Sequence, residues 1–189
     1  MTRPVILLDV DGVLADFITA NLRTLHAFGA GPFAHDDVTA WSIEDSLGLT
    51  SSQRARMKAR WSEPGFCASI PPYEGAQAGV EALRAIGEVY AVTAPMWSGP
   101  TWQHERTEWL VKHFDFRRED VVSTAAKHLV RGDVLVEDKP EALHRWSSSW
   151  PDGLGVLWHQ PYNAGAEWPI ASRVSGWSEL RRALPGASR

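Results

Sequence analysis

The stretch Val5-Ile6-Leu7-Leu8-Asp9-Val10-Asp11-Gly12 decides how this chain is read. Four consecutive apolar residues offer no polar face to water, so they read as a short strand buried on both sides, the pattern of a parallel sheet. The run ends in two acids one residue apart. In extended backbone alternate side chains share a side, so Asp9 and Asp11 are expected to point the same way. Two carboxylates that close repel one another unless a cation lies between them or one keeps its proton. Mg²⁺ suits such a place, because it takes hard oxygen ligands and keeps positions open for water and substrate. Gly12 suits a tight turn whose amides face an anion.

Outward from this strand, helical and strand-like runs alternate. Leu14 to Phe28, Glu74 to Ile86, Trp102 to Phe114, Pro140 to Trp150 and Trp177 to Ala183 read as helices. Glu88 to Val92, Val121-Val122, Val134 to Val136 and Leu154 to Trp158 read as strands. Strands separated by helices imply βαβ units, so the fold class is α/β: a Rossmann-like, mostly parallel sheet flanked by helices. One segment breaks the alternation. Between Asp36 and Trp61 two short helices are expected, the first capped by Asp36 and the second by Thr50 or Ser51, before Pro64-Gly65 and Pro71-Pro72 close the insert. The expected organisation is a core of residues 1–17 and 74–189 with a small helical cap, 18–73, inserted after the first strand. Such an insert is well placed to cover the strand ends as a lid.

A chain of 189 residues is long enough for one substantial core. With 44% apolar and 22% charged residues, an ordered globular protein is expected. A net charge of −4, with both signs mixed along the chain, gives no footprint for polymeric nucleic acid. Cys67 is the only cysteine, which excludes an internal disulfide and a cysteine-based metal cluster. Val5 to Leu8 is too short for a signal-peptide core and no apolar stretch approaches a membrane span, so the expected location is the cytoplasm, with no membrane partner. Exposed aromatics leave a homodimer open, without any heptad or symmetric signal for one.

Polar residues punctuate three strand ends: Asp9 with Asp11, Thr93, and Glu137 with Asp138. In an open parallel sheet these ends share one edge, where ligands bind. Asp138 and Glu137 add oxygen donors to those of Asp9 and Asp11, and Lys127 lies in an expected loop shortly before them. This set suits phosphate monoester chemistry. A cation and a lysine offset the charge on the non-bridging oxygens, and Asp9 is left to attack phosphorus. Asp11 is placed to protonate the leaving alcohol and then to activate water, while Thr93 donates its hydroxyl to phosphate. Each residue alone has a plain reading: Thr93 as a helix cap, Lys127 as a solvated side chain, Glu137-Asp138 as an acidic helix entry. Their order along the chain is what points to a site. Gly12 and Ala94 are candidate phosphate contacts, and Phe17, Trp61, Phe66 and Trp97 are candidate walls for a flat ligand such as a nucleobase.

The motifs Asp9-Val10-Asp11-Gly12-Val13-Leu14-Ala15-Asp16-Phe17, Val92-Thr93-Ala94-Pro95, Lys127 and Val136-Glu137-Asp138 resemble those of the haloacid-dehalogenase-like superfamily. The first of them, with Pro72-Tyr73-Glu74-Gly75-Ala76, the run from Glu105 to Phe114 and Ser175-Gly176-Trp177, is similar to the 5′(3′)-deoxyribonucleotidases. The resemblance implies Asp9 as nucleophile, Asp11 as general acid and base, Thr93 and Lys127 as phosphate ligands, and Mg²⁺ held by Asp9, the backbone carbonyl of Asp11, and Asp138. It implies a nucleoside monophosphate as substrate. The chain departs from the family at Ala125-Ala126, where an Arg-Asp pair is usual, and at Glu137, where aspartate is usual. Phosphatases of sugar phosphates or specialised metabolites, phosphotransferases and a non-catalytic binding protein are the alternatives; a dehalogenase needs no acid at Asp11.

Overall fold

The structure, a computed structural model, describes residues 3–166 and 172–184. Strands β1 (Val5–Leu8), β2 (Glu88–Thr93), β3 (Val121–Ser123), β4 (Val134–Glu137), β5 (Leu154–Trp158) and β6 (Ser172–Val174) form one sheet. Every pairing is parallel, in the order β3-β2-β1-β4-β5-β6. Seven helices accompany them among the described residues: α1 (Phe17–Ala27), α2 (Ile43–Ser46), α3 (Ser51–Trp61), α4 (Ala76–Arg84), α5 (Trp102–Phe114), α6 (Pro140–Ser149) and α7 (Trp177–Ala183).

The four apolar residues of β1 form the centre of this sheet. Ile6 and Leu8 join a buried cluster with Val80 and Leu83 of α4, Leu110 of α5 and Leu180 of α7. Leu7 joins the cluster of the opposite face, with Leu143 and Trp146 of α6. Leu8 is fully buried, so Leu8→Ala would cost about 2–5 kcal/mol. The strand reading thus meets the parallel-sheet pattern on both faces. β6, three residues long, was not legible as a strand; its place comes from pairing with β5, Val156 opposite Ser172.

The first helix begins later than its periodicity suggests. The amides of Leu14 and Ala15 both donate to Val10 O at 2.8 Å, which turns the chain, and Asp16 then caps α1 by accepting from Thr19 N at 2.8 Å. The same segment is stitched to the far end of the insert, Asp16 N to Pro71 O at 2.8 Å and Tyr73 N to Leu14 O at 2.9 Å. Thr50 caps α3 as expected, exchanging hydrogen bonds with Gln53. Asp36 caps no α-helix: it lies in the 3-10 turn His35–Asp37, and α2 starts later, with Ser42 Oγ accepting from Asp45 N at 3.1 Å. Ile18, Leu25, Val38, Ile43, Leu49 and Met57 pack into a cluster of their own. No helix among the described residues is long and apolar enough to cross a membrane.

The strand order sets where polar side chains can gather. From β1 the chain steps through β2 to β3 on one side, then returns to the other side as β4. The C-terminal tips of β1, β2 and β4 are therefore neighbours, at the point where an open α/β sheet receives its ligand.

Candidate active site

Asp9 follows β1 directly, and its amide donates to Val136 O at 2.9 Å, which holds the tip of β1 against β4. From β4 come Glu137 and Asp138. The carboxylates of Asp9, Glu137 and Asp138 each offer an oxygen within 4.8 Å of the others, and all three residues are buried. Lys127 arrives from the 3-10 turn Lys127–Leu129, between β3 and β4. Its Nζ lies 2.6 Å from Asp9 Oδ1 and 2.7 Å from Glu137 Oε2. Thr93 ends β2, the strand paired with β1, with a buried hydroxyl that has no partner among the described residues, and it is not among the residues lining the cavity over the acids.

Burial dominates the proton affinities here. It pushes the Asp9 carboxyl well above the usual carboxylate range, with Glu137 adding to the rise and Lys127 opposing it. Glu137 is likewise raised, by burial first. Asp138 is pushed up to about 7, by burial and then by the Asp9 carboxylate. Burial pulls Lys127 down, but the carboxylates of Asp9 and Glu137 more than reverse this, so its ammonium is retained. Three buried carboxyl groups face one ammonium, more acid than that single cation can keep ionised, and Asp138 Oδ1 is a buried acceptor without a partner among the described residues. Hard oxygen donors, carboxyl groups short of positive charge and an orphaned acceptor together fit a divalent cation such as Mg²⁺.

Asp11 behaves differently. The turn at Val10 ends the extended backbone, and the Asp11 carboxylate lies outside the buried three-acid cluster, although Asp9 and Asp11 open onto the same cavity. Asp11 Oδ1 instead meets Arg106 Nη2 at 2.5 Å. A metal-ligand role for Asp11 then rests on its backbone carbonyl, as the resemblance implies.

A cavity of about 700 Å³ lies over these groups, lined by Asp9, Asp11, Lys127, Glu137 and Asp138 at its floor. Phe17 and Trp61 line it, as expected, and so do Gly12 and Ala94. Two expected wall residues do not. Phe66 is buried behind Phe17 and Trp102, with ring centroids at 6.2 and 6.1 Å, so it supports the wall without facing the cavity. Trp97 is 81% exposed and outside the lining. The turn that closes with Gly99 N on Met96 O at 3.1 Å directs Trp97 outward, while Met96 and Trp102 line the cavity in its stead.

Sequence reasoning missed the segment after β5. The Tyr162 hydroxyl donates to Asp138 Oδ2, Asn163 Nδ2 donates to Asp138 O at 2.7 Å, and Gln160 Nε2 donates to Gly12 O at 2.6 Å. The available signal was Gln160-Pro161-Tyr162-Asn163 directly after a strand whose tip reaches this same edge. Gly12 shows why that packing is tight: φ is +84°, and a Cβ there would collide with Asp138 Oδ2 and the Tyr162 hydroxyl. Arg106, which the sequence alone leaves as readily solvated as substrate-bound, is 1% exposed. Its spacing from Trp102, Trp109 and Leu110, all buried on α5, was the sign of an inward-facing position.

Known proteins are similar to this chain along almost its whole length. The family profile described as 5′ nucleotidase, deoxy (Pyrimidine), cytosolic type C protein matches residues 3–184. The human mitochondrial 5′(3′)-deoxyribonucleotidase is 30% identical over 192 residues, covering 97% of this chain and 83% of that protein. The 5′(3′)-deoxyribonucleotidase of Bacillus subtilis is 24% identical over 183 residues, covering 96% and 99%. Among solved structures, a haloacid dehalogenase-like family hydrolase from Streptococcus pneumoniae superposes with a TM-score of 0.58 at 11% identity, covering 94% of this chain and 96% of that one, a likeness of fold alone. The α/β core, the strand-tip motifs and a profile match running from residue 3 to residue 184 agree, and the chain belongs to the deoxy (pyrimidine) cytosolic type C 5′-nucleotidase family.

Proposed function

We propose that the protein is a Mg²⁺-dependent phosphatase that removes phosphate from deoxyribonucleoside monophosphates through a phosphoryl group carried on Asp9. The observation that carries this reading is the position of Lys127 Nζ, 2.6 Å from Asp9 Oδ1 and 2.7 Å from Glu137 Oε2, on the floor of an aromatic-walled cavity. A nucleophile, a cationic clamp and a flat apolar slot then share one space, and the volume of about 700 Å³ is within the range of small-molecule sites.

In this mechanism an Asp9 carboxylate oxygen attacks phosphorus and the bond from phosphorus to the nucleoside oxygen breaks. Asp11 gives that oxygen its proton. Asp11 then takes a proton from water as the water attacks phosphorus, which breaks the acyl phosphate, frees inorganic phosphate and restores the Asp9 carboxylate. Lys127 and the unpartnered Thr93 hydroxyl bind the non-bridging oxygens. Asp9, Asp138 and the Asp11 carbonyl would hold Mg²⁺, with Glu137 oriented beside them by Lys127 and by the Lys139 amide. When bound, the cation supplies positive charge that keeps the acids ionised and offsets the charge of the phosphate.

Residues 18–73 act as the lid in this proposal, and Phe17, Trp61 and Trp41 offer ring faces to the base. A second reading has its own support. Ala125, which with Ala126 stands where the family resemblance places an Arg-Asp pair, lines the cavity, and Glu44, Lys58 and Arg145 give the wall additional charge, which suits a more polar phosphorylated metabolite.

The test is phosphate release by the purified protein with Mg²⁺ against deoxyribonucleoside 5′- and 3′-monophosphates, ribonucleotides and sugar phosphates. Preference for deoxyribonucleotides supports the first reading. Turnover confined to non-nucleotide phosphates would replace it with the second.

A further inference from the structure

Arg106 is a guanidinium in an unusual place. It projects from α5, it is 1% exposed, and Nε and Nη1 have no hydrogen-bond partner among the described residues. Its single ion-pair partner among those residues is Asp11, at 2.5 Å. Two aromatic rings flank it: the guanidinium carbon lies 5.3 Å from the ring centroid of Trp102 and 5.3 Å from that of Trp109.

Taking an arginine out of water is costly unless its charge and its donors are matched. Two ring faces supply a modest attraction. The remaining compensation is concentrated in one carboxylate, so each of the two groups fixes the other. The rings leave the guanidinium little room to rotate, since Trp102 is 3% and Trp109 is 2% exposed, and Trp109 Nε1 is tied to Ile70 O at 2.7 Å. Asp11 is the more exposed partner, with about a third of its side chain open to the cavity. A carboxylate on a turn after β1 would otherwise be free to choose among rotamers. An anchored arginine removes that freedom at one oxygen and leaves the other outside the ion pair, on a residue that lines the cavity.

We infer that Arg106 is a positioning residue for phosphoryl transfer: it holds the Asp11 carboxylate where the proton must be delivered to the leaving oxygen. This rests on the phosphatase reading above and extends it to a helix outside the strand-tip motifs. Arg106 itself is not in the cavity lining, so it touches neither phosphate nor base and acts through Asp11.

The experiment compares two substrates with opposite needs. A deoxyribonucleoside 5′-monophosphate leaves as an alkoxide and requires a proton, whereas p-nitrophenyl phosphate leaves as a stable phenolate and does not. The readout is kcat/KM, which reports steps up to departure of the leaving group and is blind to the later attack by water. Arg106→Met is expected to lower kcat/KM about 100-fold on the nucleotide, at the low end of what a positioned acid contributes, and far less on the aryl phosphate. Asp11→Asn should give the same split. Arg106→Lys, which keeps the charge without the fork, should restore part of the nucleotide rate.

Equal losses on both substrates in a folded Arg106→Met protein would overturn the inference. If Arg106→Met does not fold, Arg106→Lys carries the same comparison. Failure of both variants to fold beside a folded Asp11→Asn would reduce Arg106 to packing and overturn it too. An unaltered protein inert on both substrates would overturn the phosphatase reading itself, an outcome separate from any difference between variants.

Discussion

Lys127 and Asp9 are in ionic contact, Nζ to Oδ1 at 2.6 Å, with each side chain only 9% exposed. Lys127 comes from the turn between β3 and β4, and Asp9 from the tip of β1. The return of the chain across the sheet puts β4 beside β1, and this crossing brings the two residues together. The pair places a fixed positive charge against the oxygen proposed to attack phosphorus.

Lys127→Met removes that charge and leaves Asp9 and Glu137 buried without their ammonium. The expected result is a fall in kcat of about 10²–10³-fold at saturating Mg²⁺, as for loss of one preorganised charge-stabilising group. Phosphate release by a variant with an unchanged circular dichroism spectrum checks it.

Magnesium should stabilise the protein more as pH rises. Asp138 moves from 3.8 to about 7, chiefly through burial, so the folded metal-free protein binds protons that the unfolded chain has released. Between those two values its stability therefore falls as pH increases. A bound cation replaces those protons, and the gap between Tm with and without Mg²⁺ is expected to widen from pH 5 to pH 8. Thermal melts at several pH values test this; a gap that shrinks with pH would contradict the sign.

Tyr162→Phe deletes the donor to Asp138 Oδ2. Burial and the neighbouring carboxylate hold the tyrosine proton in place, so the hydroxyl remains a donor across the working pH range. Partners of this kind orient metal-binding carboxylates, and their loss weakens metal affinity about 10–100-fold. A Mg²⁺ titration of activity should show the midpoint rising with little change in the saturated rate.

Gly12→Ala meets both a left-handed φ of +84° and a collision with Asp138 and Tyr162. Backbone strain of this kind costs about 1–3 kcal/mol before any collision is relieved. Denaturant unfolding is expected to show at least that loss, together with a lower affinity for Mg²⁺.

Much of the fold was written in the sequence because it comes from local periodicity. An unbroken apolar run ending in Asp9 identifies a buried parallel strand, and β5 and α5 keep the bounds that their patterns suggest. Thr50 and Gln53 announce their capping exchange within four residues. What escaped was non-local or depended on a turn. The three amides directed at Val10 O turn the chain after Asp11, and no alternation rule contains that turn or the pairing of Asp11 with Arg106. Arg106 and Tyr162 reach the site only once the sheet order is known, and a charged residue on a helix reads as solvated until its neighbours are seen. Trp97 followed Thr93 closely enough to suggest the cavity, yet one tight turn sends it into solvent. Ser172 to Val174 is too short to carry a pattern and becomes a strand by pairing. Residues 18–73 as a separate lid remain part of the proposal, supported by the separate apolar cluster around Val38 and Met57.

The most direct measurement is chemical capture of the phosphorylated protein during turnover of a deoxyribonucleoside monophosphate with Mg²⁺, by acid quench, borohydride reduction and peptide mass spectrometry. A phosphoryl group carried on Asp9 predicts reduction at Asp9 alone, absent without substrate and absent from Asp9→Asn. Capture at a different residue, or full turnover by Asp9→Asn with no captured species, would contradict it.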